Sequence, residues 1–235
     1  MLRGEPFDWR AIPVNTVQLL VDVLGPVVVM VAIGALVAQR LGLNTGTLSK
    51  LAYWILGPAF VFNIFSTTTL EAETAAKLVV AGVASVLAAG VAGAVLSPVF
   101  GLRGSAMSAT VMSSAYGNVG NAGLAICVFA LGEDALDRAG VLMVTIMFFG
   151  TLLSVWLGTR QTQSSLKAAL DALVSPMIVA AIIGFLFNVA NLDTPTVIDR
   201  AVSTIAQGLI PVMLLTLGLQ LATTGSLQFL RSTGV

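Results

Sequence analysis

The residues able to do chemistry are few, and they gather in one stretch, SSAYGNVGNAGLAI, residues 113 to 126. Asn118 and Asn121 bring primary amides, Tyr116 is one of only two tyrosines in the chain, and Gly117, Gly120 and Gly123 recur at every third position. Each glycine costs about 1 kcal/mol relative to alanine inside a helix, and asparagine favours caps and turns. Yet apolar sequence flanks the stretch on both sides. In hydrocarbon every peptide N–H and C=O needs a partner, so an interrupted span persists only where protein or water surrounds the break. The pattern predicts a helix broken near Tyr116 to Asn121, with its freed peptide groups and the amides of Asn118 and Asn121 facing a solvated cavity. The N-terminus of the second half-helix would present N–H donors and partial positive charge, which suits an anion such as a carboxylate. The alternative is that the three glycines allow tight helix crossing and the asparagines hold helices together. Residues 105 to 131 would then form one continuous rod.

The remaining candidates are sparser. Tyr116 needs a partner for its hydroxyl, either substrate or another helix. Asn63, five residues after Pro58, is an amide within an apolar run and either lines the same cavity or supports packing. Ser113 and Ser114 can bond backbone carbonyls one turn back. Asp22 is the one acidic residue clearly inside an apolar span, where a charge at the bilayer centre costs about 2.5 to 3.5 kcal/mol. It lies towards the span's outer end, with Gln18 one turn before it and Asn15 as a helix cap. An interfacial structural role is therefore favoured over ion or proton coupling. The chain has one cysteine, Cys127, and no histidine. Disulfide frameworks, zinc sites, Cys-His nucleophiles and Ser-His-Asp triads are thereby removed, and Cys127 in apolar sequence is read as a packing residue. No enzyme, metal or cofactor is expected.

The elements that must position these residues follow from composition. Of 235 residues 57% are hydrophobic and 9% charged, with a mean hydropathy of +0.98, which assigns the chain to a bilayer. Net charge is zero and no basic run occurs, so nucleic acid is not a partner. A membrane helix needs roughly 20 apolar residues, and segments near 16–39, 47–66, 77–99, 105–131, 139–159, 168–190 and 197–221 qualify. The first is too long for a signal-peptide core and is read as a retained helix. Arg40, Lys50, Arg103, Arg160, Lys167 and Arg231 fall on one side, against Lys77, Arg138 and Arg200 beyond the tail on the other. The first set is assigned to the cytoplasm, which puts the N-terminus outside. In the third segment Ser85, Ala89, Gly93 and Ser97 form a ridge of small residues suited to close packing.

An internal repeat organises these spans. PVVVMVAIGAL from Pro26 overlies PMIVAAIIGFL from Pro176 at an offset of 150, and Pro58 pairs with Pro211 at 153, which sets Asn63 opposite Thr216. Five spans separate the copies, so the second enters from the opposite side, the inverted repeat recurrent among secondary transporters. The expected organisation is a tail at 1–16, a first five-helix repeat at 17–159, a cytoplasmic linker at 160–167 and the start of a second repeat at 168–235. On this scheme three further helices are expected.

YGNVGNAGLAICVFALGEDAL, LGPAFVFNIF and PVMLLTLGLQLA together resemble the auxin efflux carrier family of plants, bacteria and archaea, the likeness running from about Val17 to Thr224. The resemblance implies a ten-helix inverted-repeat fold related to bile-acid symporters and sodium/proton exchangers, with a broken fourth helix crossing at the midplane. It also implies export or exchange of a small carboxylate: indole-3-acetate in plants, malonate-like or malate-like acids in bacteria. Asn118, Asn121 and the surrounding glycines fall at the implied crossover, and Asn63 at a polar support position. The short stretch between fifth and sixth spans points to a prokaryotic-type member in the inner membrane. A small carboxylate and the lipid bilayer are the expected partners, with a homodimer as an assembly. The rival readings are a sodium-coupled bile-acid-like symporter and a non-transporting remnant or subunit.

Overall fold

The computed structural model describes residues 16–159 and 174–232. Residues 1–15 of the expected tail, Asn15 among them, the linker and the first residues of the sixth span lie outside that range. The described chain is all helix: α1 Thr16–Leu41, α2 Thr45–Leu51, α3 Gly57–Thr67, α4 Ala72–Leu96, α5 Ser105–Ala115, α6 Leu124–Leu131, α7 Leu136–Thr159, α8 Pro176–Val189, α9 Thr196–Gln207 and α10 Leu209–Ser232. Short π or 3-10 turns join α2 to α3, extend α4, and precede α6 and α7. Among the described residues six stretches are long and apolar enough to cross a membrane, and α8 adds a shorter apolar helix of 14 residues. The protein is thus a polytopic all-α membrane protein. Its outward faces agree, since Val28, Leu36, Val80, Leu87, Val95 and Leu186 each leave more than half their surface uncovered. A surface so apolar suits lipid and would aggregate in water.

Two spans depart from regular α-helix just before a proline, which removes a backbone donor. Before Pro58 the chain takes a π-turn, Ala52–Leu56, closed by the Gly57 amide on the Ala52 carbonyl. Before Pro211 the seventh span is interrupted at Gly208, whose amide turns back to the Ile205 carbonyl at 3.1 Å. The unbroken segment expected over 197–221 is therefore two helices, α9 and α10. The second span starts on a side-chain cap, Asn44 Oδ1 accepting from the amides of Gly46 at 2.7 Å and Thr47 at 3.2 Å.

Glycines set the closest helix contacts. α1 and α10 meet where Gly34 faces the Leu215 carbonyl and Gly218 faces the Val31 carbonyl. α3 and α8 meet where a Cβ on Gly184 would lie 2.8 Å from the Phe62 carbonyl oxygen and 3.1 Å from the Phe65 Cβ. Gly34 and Gly184 stand 150 positions apart, while Phe62 and Phe65 stand 153 positions before Leu215 and Gly218. One contact is the other displaced by the offsets of the sequence repeat.

α4 packs on α5 and α7 along Gly82, Val86, Gly90, Gly93 and Ser97, all buried. This stripe replaces the ridge expected from sequence, in which Ser85 turns out exposed and only Gly93 and Ser97 are buried. The central core joins Phe60, Val61 and Ile64 of α3 to Leu124 of α6, Met143 of α7 and Leu209 of α10. It fixes the interrupted fourth span against the second and seventh.

Candidate functional site

The fourth span stops being helical in its middle. α5 ends with the Tyr116 amide on the Met112 carbonyl at 2.9 Å, and residues 116 to 118 leave helical geometry, with φ/ψ of −99/77 at Tyr116 and −77/55 at Asn118. The Asn118 carbonyl restarts the helix by accepting from the amides of Ala122 at 3.3 Å and Gly123 at 3.1 Å, through a π-turn over Val119–Gly123 into α6. The first turn of a helix has no upstream carbonyls to bond. Among the described residues the amides of Gly120 and Asn121 accordingly find no acceptor. The continuous rod is excluded, and the break falls within the interval read from the sequence.

Sterics do not require these glycines. Gly117, Gly120 and Gly123 all have negative φ, and a Cβ on Gly117 would meet nothing nearer than the Val119 Cγ1 at 3.9 Å. Their contribution is the low helix propensity that lets the span open at this point.

The break faces a cavity of 290 Å³ whose wall includes Tyr116, all of Gly117 to Asn121, and Met143, Met147, Met177 and Met213. Four of the chain's eight methionines thus form its apolar side, a flexible lining that adapts to a ligand's shape. Asn118 is exposed and Asn121 half-buried, and neither amide side chain bonds another described residue. Tyr116 lays its ring on Gly150 of α7, where a Cβ would come within 2.7 Å of the ring. Its helix contact is therefore aromatic packing. Asn121, Met147, Met177 and Met213 also line an adjoining cavity of 460 Å³, reaching Ser49, Lys50, Tyr53, Thr216 and Gln220. The two adjoin across these four shared residues, the second reaching the end of the second span that carries Lys50.

Sequence-selected residues divide accordingly. Tyr116, Asn118, Asn121 and the glycines Gly117 and Gly120 come together on one cavity, with Gly123 one turn behind. Asn63 does not join them: it lines a separate cavity of 670 Å³ with Glu133, Ser203, Gln207 and Pro211. Asp22 is exposed on α1 and lines none of these cavities. Ser114 donates to the Thr110 carbonyl at 2.9 Å, one turn back as expected. Two polar residues emerged only from the structure. Lys50, counted in sequence only for orientation, stands on the cavity wall; Asn188 closes the end of α3 by donating to the carbonyls of Ser66 at 3.1 Å and Thr68 at 2.9 Å. Only tertiary contact brings either into view.

Comparison with known families matches residues 158–233 to the family described as Membrane transport protein. That is the auxin efflux carrier family. The matched residues include the seventh-span motif and agree with the family resemblance read from the sequence, and the matched family is one of transporters. None of the curated proteins matches the chain.

Proposed function

We propose that the protein is a secondary or facilitative carrier that moves a small organic anion across the inner membrane by alternating access at the interrupted fourth span. The observation that carries the proposal is the break itself: unpaired amides at Gly120 and Asn121 and unspent side-chain amides at Asn118 and Asn121 share one cavity. These are donors in a low-dielectric setting at a helix N-terminus, where a carboxylate is stabilised by hydrogen bonds and by the helix dipole together. The recurrence of the Gly34–Leu215 contact as Gly184–Phe62 supports an inverted repeat, and so does the distortion of the second and seventh spans just before Pro58 and Pro211. Donors clustered at mid-span and repeat-related halves are what alternating access needs. The positive-inside assignment places the N-terminus outside and the Lys50 end of the second span in the cytoplasm.

The test is uptake of labelled monocarboxylates and dicarboxylates into proteoliposomes containing the full chain. Saturable flux of at least one acid, reduced in Asn121→Ala, is the expected result. Equal, unsaturable leakage in wild type and variant would reject the carrier.

A further inference from the structure

The two large cavities flanking the core are lined by corresponding residues of the repeat. Lys50, Tyr53, Met213 and Thr216 line the one that joins the break, and Ser203, Ala206, Phe60 and Asn63 line the other. Each residue of the first set pairs with its namesake in order at a separation of 153 positions. The cavities share no lining residue, and the core cluster contributes Phe60 to one wall and Leu209 to the space at the break. Lys50 stands at the start of the second span and Asn63 near its end, so the cavities lie towards opposite ends of that span. What differs is charge. Among the described residues Lys50 is the one charged side chain lining the space that joins the break; its counterpart is Ser203, and the charge among the described residues of that second cavity is the carboxylate of Glu133.

We infer that Lys50 is the specificity-determining residue that draws the anion into the site from its own face, and that the Asn63 cavity, with Glu133 and no cation among its described lining residues, is the repeat-related vestibule on the other face. The inference rests on the carrier reading. Lys50 sits at the cavity's exposed end, where an ammonium acts as a hydrated point charge that raises local anion concentration and is screened by salt. Asn121 lies on the same wall and receives the acid next, its side-chain amide and main-chain N–H both available. On the opposite face an anion leaving past Asn63 meets Glu133, which disfavours its return. The vestibules therefore bias binding towards the Lys50 face.

Half-saturating concentration and maximal rate are to be measured in right-side-out and inverted membrane vesicles for wild type, Lys50→Gln and Lys50→Arg. Lys50→Gln is expected to raise the half-saturating concentration about tenfold, only in vesicles presenting the Lys50 face, with the maximal rate within about threefold. Its half-saturation should also lose the salt dependence expected of wild type. Lys50→Arg retains that dependence. An unchanged half-saturation in Lys50→Gln, or an equal change on both faces, overturns the role of Lys50 while leaving the carrier standing. Absence of saturable flux in wild type overturns the carrier and this inference with it.

Discussion

α4 and the fourth span are both rich in glycine, yet one is an uninterrupted helix and the other opens in the middle. The difference lies in what fills the space a side chain would have taken. In α4 the neighbours move in: a Cβ on Gly82 would meet Thr145 Cγ2 at 2.8 Å, one on Gly90 Leu153 Cδ2 at 3.2 Å, and one on Gly93 Ser114 Oγ at 2.9 Å. At the break the corresponding space is free at Gly117 and touched at Gly120 only by the flexible end of Met213, at 3.2 Å. Glycine in α4 serves contact between helices; glycine in the fourth span weakens a helix beside a cavity. The asparagines decide which: α4 has none, while Asn118 and Asn121 supply polar groups that a wet cavity accommodates and lipid does not.

The largest effect is expected where a contact glycine faces backbone. Gly34→Ala or Gly218→Ala presses a methyl onto the neighbouring main chain, Leu215 or Val31 respectively, which cannot step aside. Overpacking of this kind costs about 1 to 3 kcal/mol or more, and thermal unfolding in detergent should show a clear loss of folded protein. A melting profile equal to wild type would mean that α1 and α10 do not approach as described.

Next comes the functional contrast. Asn121→Ala should leave unfolding unchanged and lower flux about 10- to 100-fold, the range for losing a hydrogen bond to a charged group. If flux fell only in proportion to lost folded protein, Asn121 would be a packing residue like the glycines of α4.

Gly93→Ala set beside Gly117→Ala probes the two kinds of glycine directly. The first should destabilise by about 1 to 3 kcal/mol, because Ser114 Oγ and the Val111 Cα at 3.2 Å stand in the way. The second meets open space, should hold its stability within about 1 kcal/mol, and should slow transport by favouring a continuous helix. Equal melting shifts would erase the distinction. The smallest effect is expected at Asp22, exposed on α1 and remote from the cavities: Asp22→Asn should change flux less than about twofold, within the usual range for a surface substitution. A loss of pH-dependent flux in that variant would reinstate it as a coupling residue.

The spans and the break were legible in the sequence because both rest on local properties. Apolar length marks a membrane helix, and glycine with asparagine marks where one cannot continue; Tyr116 to Asn118 leave the helix within the expected interval. What sequence left hidden depended on where neighbouring helices lie. The ridge on α4 was shifted because small residues recur along several of its lines, and only the positions of Thr145, Leu153 and Ser114 select Gly82, Gly90 and Gly93. Asn63 and Asn118 are both amides in apolar runs, and nothing local tells that packed Phe60 and Leu124 put them on different cavities. Lys50 reads as an ordinary helix-end lysine until the seventh span comes alongside it. Gly208 passed unnoticed because a single glycine near proline is common in membrane helices.

The most direct test of the open break is its accessibility to water. In a Cys127→Ala background, Asn121→Cys and Leu87→Cys are treated in intact membranes with a charged thiol reagent applied to the Lys50 face. Asn121→Cys should label, and a transported acid should protect it, while Leu87→Cys on the lipid-facing side of α4 stays unlabelled. Failure of Asn121→Cys to react, when an Asn44→Cys control at the head of α2 reacts fully, would contradict a solvated site at the break.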